Sequence, residues 1–489
     1  MAEQFPGALL DLLGAAGDRP VFEHGDRTVT GSQLLGAVRR VTHGLRTGGV
    51  GPGDGVALLL GVSPEAFAAL VAAHAVGARV VGVRPGLTEQ QRAHLLADTA
   101  FTVTDSTDST DGPGADARTG RVLLLDDLLS AADDGLRPVV SGRPQDIARL
   151  IHTSGSTGLP KACAQTYAAM TAAWALRPDA WPPAVRELAA RLDRFLVFGT
   201  LSSQVMLDYG LLTLAAGGTL VTAERPGFPD SIVRHRATAS VITVARLVKL
   251  VQSQRKEPAD LSSLRALMVS GSPLEPGRLR EAAEVLGPVV FHGYGQTETG
   301  MISMATPDDV PGSLGVPPVG LQVRDASGRS VPPGTDGELF ARTPAQAMGY
   351  WREPALSAEV FADGWVRTRD LGRLDAEGRL WLTGRARDVI IVNANVYYAG
   401  PVERLLATHP SVAEAHVVAV PDDDTGEAVH AFVVPAAGHV PDLAELRALV
   451  TAGLEEACAP TRLTLIEEVP LTPAGKPDKR RLASGAGSR

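Results

Sequence analysis

A chain of 489 residues exceeds what one hydrophobic core organises, and its length points to about three units of ordinary domain size. Its 44% hydrophobic and 21% charged residues fit a soluble globular protein, and with net charge −9 and a single short basic segment at 476–481 no nucleic-acid partner is expected. The first residues lack the basic region and apolar run of a signal peptide, and no apolar stretch is long enough to span a bilayer, so a cytoplasmic protein without a membrane partner is expected.

Residues 21–45 read as a strand, a Gly/Ser turn and an amphipathic helix. A Gly-Pro-Gly-Asp-Gly turn at 51–55 precedes a buried strand at 56–60, a helix at 63–76 opened by Ser63-Pro64, and a strand at 77–83; this βαβ order predicts a parallel sheet. Residues 105–120, rich in Ser, Thr, Asp and Gly, read as a surface loop without chemistry, and 122–125 as a strand. A strand at 148–152 then enters a loop, and a helix-like run starts at Ala162.

Strands at 194–198, 219–222, 240–244, 264–270 and 289–291, with helices at 206–215 and up to Leu286, predict a second doubly wound unit. From Leu314 the texture turns to short β-like pieces, as at 323–331 and 337–341, which suit a small β subdomain or barrel. Beyond Gly384-Arg385, strands at 415–420 and 428–434 and a helix at 442–456 predict a small separate α+β domain. The expected class is therefore α/β: two doubly wound subdomains and a small β subdomain in residues 1–385, then a small α+β domain in 386–489.

The loop Thr153-Ser154-Gly155-Ser156-Thr157-Gly158-Leu-Pro-Lys161 concentrates backbone N–H groups, hydroxyls and one cation, the donors that hold phosphate. It lacks the Walker spacing, and a plain Ser/Gly linker does not usually follow a buried strand and end in Pro-Lys. Tyr294-Gly-Gln-Thr297-Glu298 follows a strand at the carboxyl edge where open α/β sheets bind ligands, offering a ring for a purine, a hydroxyl for a phosphate and a carboxylate for Mg²⁺. Asp370, read as lying in a tight turn, suits the hydroxyls of a ribose, and Lys476 stands in a Gly-Pro turn near the C-terminus. Cys163 and Cys458 have no metal-ligand spacing and are expected to be reduced, Cys163 as core rather than nucleophile.

Taken in order, these motifs resemble the adenylate-forming superfamily that contains acyl-CoA synthetases, the adenylation domains of nonribosomal peptide synthetases, and firefly luciferase. The likeness runs from about Val21 to Leu482. It implies an ATP-dependent, AMP-forming ligase with Mg²⁺ that converts a small carboxylic acid into an acyl-adenylate, releases pyrophosphate, and passes the acyl group to the thiol of CoA or of a phosphopantetheinyl carrier protein. By position, the 153–161 loop with Lys161 grips the β- and γ-phosphates, Tyr294 stacks on adenine, Thr297 meets the α-phosphate and Glu298 holds the metal. Asp370 matches the ribose-binding aspartate, Arg385 an arginine that reaches the nucleotide, Arg387 the hinge of a mobile C-terminal domain, and Lys476 the catalytic lysine. The acid pocket falls at Gly199, Thr200, Ser202, Ser203, Ser270, Gly271, His292 and Gly293, with a structural hydrogen-bonding role as the alternative for His292.

The departures from the family pattern are specific. Ala162 replaces a glycine after the loop lysine, Arg369 replaces the glycine before the ribose aspartate, and Gly199 stands where many acyl-CoA synthetases carry a histidine. Asn393-Ala394 occupies positions where thioester-forming relatives generally have glycines, beside the path of the pantetheine arm. Adenylation therefore looks complete, while the acceptor stays open: a thiol is the family's expectation, and an amine, or a nitrite-activating reaction like that of diazotases, is the alternative. An inactive homologue acting as a binding protein is disfavoured by the presence of Lys476 and Glu298. The Ala-, Arg-, Gly- and Pro-rich composition is compatible with a high-GC genome and secondary metabolism.

Overall fold

The computed structural model describes residues 3–83, 88–105, 120–153, 161–201, 203–223, 226–271, 274–385, 388–392, 395–422, 425–454, 456–472 and 477–486. The chain forms two compact units, one of Met1–Ser270, Ala282–Asp308 and Arg342–Val366, the other of Gly271–Glu281, Asp309–Ala341 and Arg367–Arg489. The architecture is α/β, as the alternation of elements predicts. No helix among the described residues is long and apolar enough to cross a membrane.

The first unit is built on strands β1 (Pro20–His24), β2 (Arg27–Thr30), β3 (Gly55–Leu59), β4 (Arg79–Gly82), β5 (Phe101–Thr104), β6 (Arg121–Leu124), β7 (Ile147–Thr153), β8 (Lys161–Thr166), β9 (Arg194–Leu196), β10 (Thr219–Thr222), β11 (Ala239–Ile242), β12 (Ala266–Val269), β13 (Val290–Gln296) and β14 (Gly300–Ala305). One sheet has the order β8-β7-β4-β3-β5-β6, extended beyond β8 by the short strand Gly349–Tyr350. The other has the order β14-β13-β12-β11-β9-β10-β1-β2. Pairing is parallel through the middle of both sheets and turns antiparallel at β7/β8, β13/β14 and β1/β2.

Local chemistry starts the helices. Ser63 caps the helix Pro64–Ala75 by accepting from the N–H of Ala66, with Pro64 in the first turn where a missing N–H costs nothing. Thr30 and Gln33 form a capping box on Gly31–Thr47. Phe22, Phe67, Phe195 and Phe291 are fully buried in one continuous apolar cluster, each worth roughly 1.5–3 kcal/mol of transfer free energy.

The N-terminal strand and the hairpin it forms belong to the second sheet, where Phe22 lies opposite Leu220. One sequence expectation is corrected here. The run from Ala162 is strand β8, antiparallel to β7, and the helix Tyr167–Ala172 begins only afterwards. Alanine-rich composition argues for helix, but pairing on both edges of Lys161–Thr166 overrides it, Ala162 and Ala164 facing one apolar cluster and Cys163 another. Within residues 323–331, a turn held by Asp325 Oδ1, which accepts from the N–H groups of Ser327 and Arg329, follows strand Gly320–Arg324, and the Val331 N–H donates back to the Val323 carbonyl.

In the second unit, strands Gly320–Arg324, Gly337–Arg342, Trp365–Leu374 and Leu380–Arg385 contribute to an open five-stranded sheet, not a barrel. A further five-stranded sheet holds Val389–Val392, Asn395–Tyr398, Val412–Asp422, Gly426–Pro435 and Arg462–Leu465. Val402, Leu406, Leu446 and Val450, from the helices Ala399–Leu406 and Leu443–Gly453, close its core. The helix Lys479–Ala486 is fixed by Lys479, whose Nζ lies 2.7 Å from both Asp388 and Glu403.

Candidate active site

Lys161 opens β8, directly across from Thr153 at the end of β7, so the phosphate-type loop joins two antiparallel strands and not a strand and a helix. Residues 154–158 of that loop, with Ser202, Arg387, Asn393, Ala394 and Lys476, lie outside the described residues. The backbone N–H groups of Met348 and Trp351 donate to Ala164 and Ala162, and this ladder sets Tyr350 against Cys163. Tyr350 is therefore carried to the side of Lys161 by strand pairing across nearly two hundred residues of sequence.

Glu298 stands in the turn between β13 and β14. Gln296 donates its N–H to Thr299 Oγ1 and accepts from the Thr299 N–H, both at 3.1 Å, while the carbonyl of Glu298 accepts from Ala347 and that of Thr299 from the Thr343 hydroxyl. The segment 343–350 thus braces the acidic turn from one end and supplies Tyr350 from the other. A β-bulge falls between Tyr294 and Gly295, a device that re-aims side chains beside functional turns. Tyr294 is 8% exposed, and Thr297 is half-buried in the turn.

These elements bring three side chains together. Lys161 Nζ donates to Tyr350 Oη at 2.6 Å, Tyr350 Oη donates to Glu298 Oε1 at 2.6 Å, and Nζ lies 3.5 Å from Oε1. The ammonium also sits over the Tyr350 ring, 3.8 Å from its centroid. Lys161 and Glu298 are only 17% and 13% exposed, so their charges act on each other and on any incoming ion with little screening. Cys163 is fully buried, and burial, then the Glu298 carboxylate, push its thiol well up, which removes it as a nucleophile; both cysteines are free and buried, as expected.

Behind the cluster lies a buried polar chain that the sequence did not reveal. Arg149 on β7 donates from Nε to Gln165 on β8 at 2.6 Å, and Gln165 donates to the Ala345 carbonyl at 2.6 Å. Arg149 Nη2 lies 3.9 Å from Asp208, whose carboxyl is pushed up to about 6 by burial against the opposing pull of Arg149. Arg149 Nη1 is buried with no hydrogen-bond partner among the described residues. Tyr350 had a weak signal, the aromatic pair after Gly349, whereas Arg149 and Asp208 look like ordinary charges until the strands and helix Gln204–Ala215 are placed.

At the expected acid pocket, Gly199 adopts φ +116, with nothing among the described residues within 4 Å of where a Cβ would stand. The Ser203 hydroxyl caps helix Gln204–Ala215 through the Met206 N–H and is engaged there. His292 is a buried residue inside β13, and a Cβ at Gly293 would stand 3.4 Å from Tyr209 Oη, which adds Tyr209 to that wall. Thr200 and Ser270 belong to the same unit, Ser270 just beyond β12.

Gly271, Asp370 and Arg385 fall in the second unit. Asp370 is not in a tight turn: it lies within strand Trp365–Leu374, directly across from Arg385, and the turn is at Asp363-Gly364. Arg385 Nε donates to Asp370 Oδ1 at 3.1 Å, with Asp370 7% and Arg385 53% exposed, a buried carboxylate beside a mostly solvated guanidinium. Arg369 adopts φ +60, the left-handed region, which accounts physically for glycine being usual at that position.

The chain matches the family of AMP-binding enzymes over residues 13–351 and the C-terminal domain of AMP-binding enzymes over 401–476. The chain belongs to the AMP-binding enzyme family. It is an ATP-dependent, AMP-forming ligase with a large N-terminal and a small C-terminal domain, as the ordered motifs imply. Among its relatives is the fatty acid–[acyl-carrier-protein] ligase ScoC of Streptomyces coeruleorubidus, 30% identical over 93% of this chain and 91% of that protein. Among solved structures, the amide bond synthetase McbA from Marinactinospora thermotolerans is 35% identical, with a TM-score of 0.88 over 98% of this chain and 99% of that one. The o-succinylbenzoate CoA synthetase of Bacillus subtilis, in complex with ATP and magnesium, is 26% identical with a TM-score of 0.82, covering 98% and 100%.

Proposed function

We propose that this enzyme adenylates a small carboxylic acid with MgATP and transfers the acyl group to an amine, forming an amide. The observation that carries the first half is the Lys161–Tyr350–Glu298 cluster: one cation and one carboxylate 3.5 Å apart, next to a loop rich in phosphate donors. A carboxylate attacking an α-phosphate approaches another anion and expels pyrophosphate, so the site needs positive charge and oriented donors more than a base. Lys161 and the 153–161 loop serve the leaving phosphates, Tyr294 the adenine and Thr297 the α-phosphate.

The residues present fit Mg²⁺. Glu298 Oε1 is held by Tyr350, and no group of three or more His, Cys, Asp or Glu that could cage a metal occurs among the described residues. A single carboxylate suits a hard cation that keeps its waters and takes its remaining ligands from phosphate. When bound, the ion offsets the charge of the phosphates. In the same reading Asp370 serves the ribose hydroxyls and Arg385 the nucleotide, residues 386–489 form a domain that turns about Arg387, and Lys476 reaches the reacting oxygen.

The amine acceptor is favoured by the likeness to McbA along nearly the whole of both chains, and by Asn393-Ala394 carrying side chains where thioester-forming relatives have glycines. A thiol acceptor is the second reading, favoured by the likeness to ScoC. Incubation with ATP, Mg²⁺ and a panel of carboxylic acids, followed by an amine, CoA or a phosphopantetheinyl carrier protein, separates them. The proposal expects amide with an amine and little thioester; efficient thioester formation with CoA or carrier would overturn it.

A further inference from the structure

Tyr350 stands between two charges that the fold brings close. Its hydroxyl accepts from the Lys161 ammonium and donates to the Glu298 carboxylate, each at 2.6 Å, while the charges themselves stay 3.5 Å apart, beyond the 2.7–2.9 Å of a direct charge-assisted bond. The ring that carries this hydroxyl is fixed independently: Tyr350 is 6% exposed, pairs with β8 through its backbone and meets Phe361 edge-on at 5.4 Å. The hydroxyl is thus held in place whether or not either charge is present.

We propose that Tyr350 is a positioning residue, a spacer that keeps Lys161 and Glu298 from closing into a direct ion pair so that the ammonium stays available to a triphosphate and the carboxylate to its metal. This rests on the nucleotide reading of the site given above. With both groups shielded from water, a direct pair would be strong and would have to be broken whenever MgATP enters. A neutral hydroxyl bonded to both gives up less when each charge turns to a new partner. Phenylalanine at 350 keeps the ring, its packing and the strand pairing, and removes only the spacer.

Calorimetric binding of ATP, with and without Mg²⁺, to wild type, Y350F, E298Q and the double variant tests this without requiring turnover. Y350F is expected to bind MgATP about tenfold to a hundredfold more weakly than wild type, with a smaller gain from Mg²⁺, the size of one lost charged hydrogen bond. In the E298Q background, where no ion pair is left to form, the same change is expected to cost nothing further. Tyr350→Leu, which also lacks the hydroxyl, must repeat that dependence on Glu298, and melting curves check that each variant folds. Unchanged binding in Y350F, or an equal loss in both backgrounds, overturns the spacer and leaves the nucleotide site standing. Wild type that binds no MgATP overturns the nucleotide site, and the spacer with it.

Discussion

Lys161 and Glu298 are both shielded from water, and each is presented by a different hairpin. Lys161→Met and Glu298→Gln are each expected to lower ATP–pyrophosphate exchange by about 10²–10³-fold, the usual cost of removing one oriented electrostatic group, with little change in melting temperature. Arg149 makes a different prediction. The folded state holds Asp208 near 6, above the roughly 3.9 of an unfolded aspartate, so the proton it retains favours folding below about pH 4, and that contribution is lost as pH rises to about 6. Arg149→Ala removes the cation that opposes burial and pushes the carboxyl higher. Urea melts should therefore show the variant's stability deficit widening from pH 5 to pH 8; a deficit independent of pH would refute the Arg149–Asp208 coupling. Lys161 and Glu298 were legible in the sequence because each sits in a short local motif. Tyr350, Arg149, Gln165 and Asp208 were not, because what gives them a role is strand pairing and helix placement between distant segments.

The elements that matter most are two hairpins and the short strand between them. The β7–β8 hairpin carries Lys161, the β13–β14 hairpin carries Glu298, and Gly349–Tyr350 ties to the first while Ala347 binds the second. At the β13–β14 bulge a Cβ on Gly295 would stand 2.3 Å from the Gly300 carbonyl, a backbone atom that cannot turn aside. Gly295→Ala is expected to cost about 1–3 kcal/mol in urea denaturation and to lose exchange activity with it, because the turn holding Glu298 must shift. In the second unit, Lys479→Met leaves Asp388 and Glu403 facing each other without their cation, and a destabilisation of about 2–4 kcal/mol is expected, read as a lowered melting temperature. Strands that are short uninterrupted apolar runs, such as β3 and β12, were readable from composition. Lys161–Thr166 was not, since alanine and cysteine side chains carry little strand preference and partners on both edges decide the outcome. Asp370 was misplaced in a turn for a similar reason: its strand is defined by pairing with Leu380–Arg385.

For the whole molecule, the α/β class and the succession of sheet-forming and helix-forming segments were written in the sequence, while the assignment of β1 and β2 to the far edge of the second sheet was not, because a parallel neighbour about two hundred residues away leaves no local trace. In a chain of net charge −9, Lys161, Arg385 and Lys476, at three separate family motifs, are the cations proposed to serve the anionic nucleotide. Which acid is activated, and which nucleophile follows, are properties of side chains spread over many segments, so family likeness supplies the reaction and the assay supplies its partners. The decisive measurement of adenylation is ATP–[³²P]pyrophosphate exchange over a panel of carboxylic acids. Mg²⁺-dependent exchange with at least one acid, lost in Glu298→Gln, is expected; folded wild-type protein that gives no exchange with any acid, or exchange that survives Glu298→Gln, would show that this site does not activate acids.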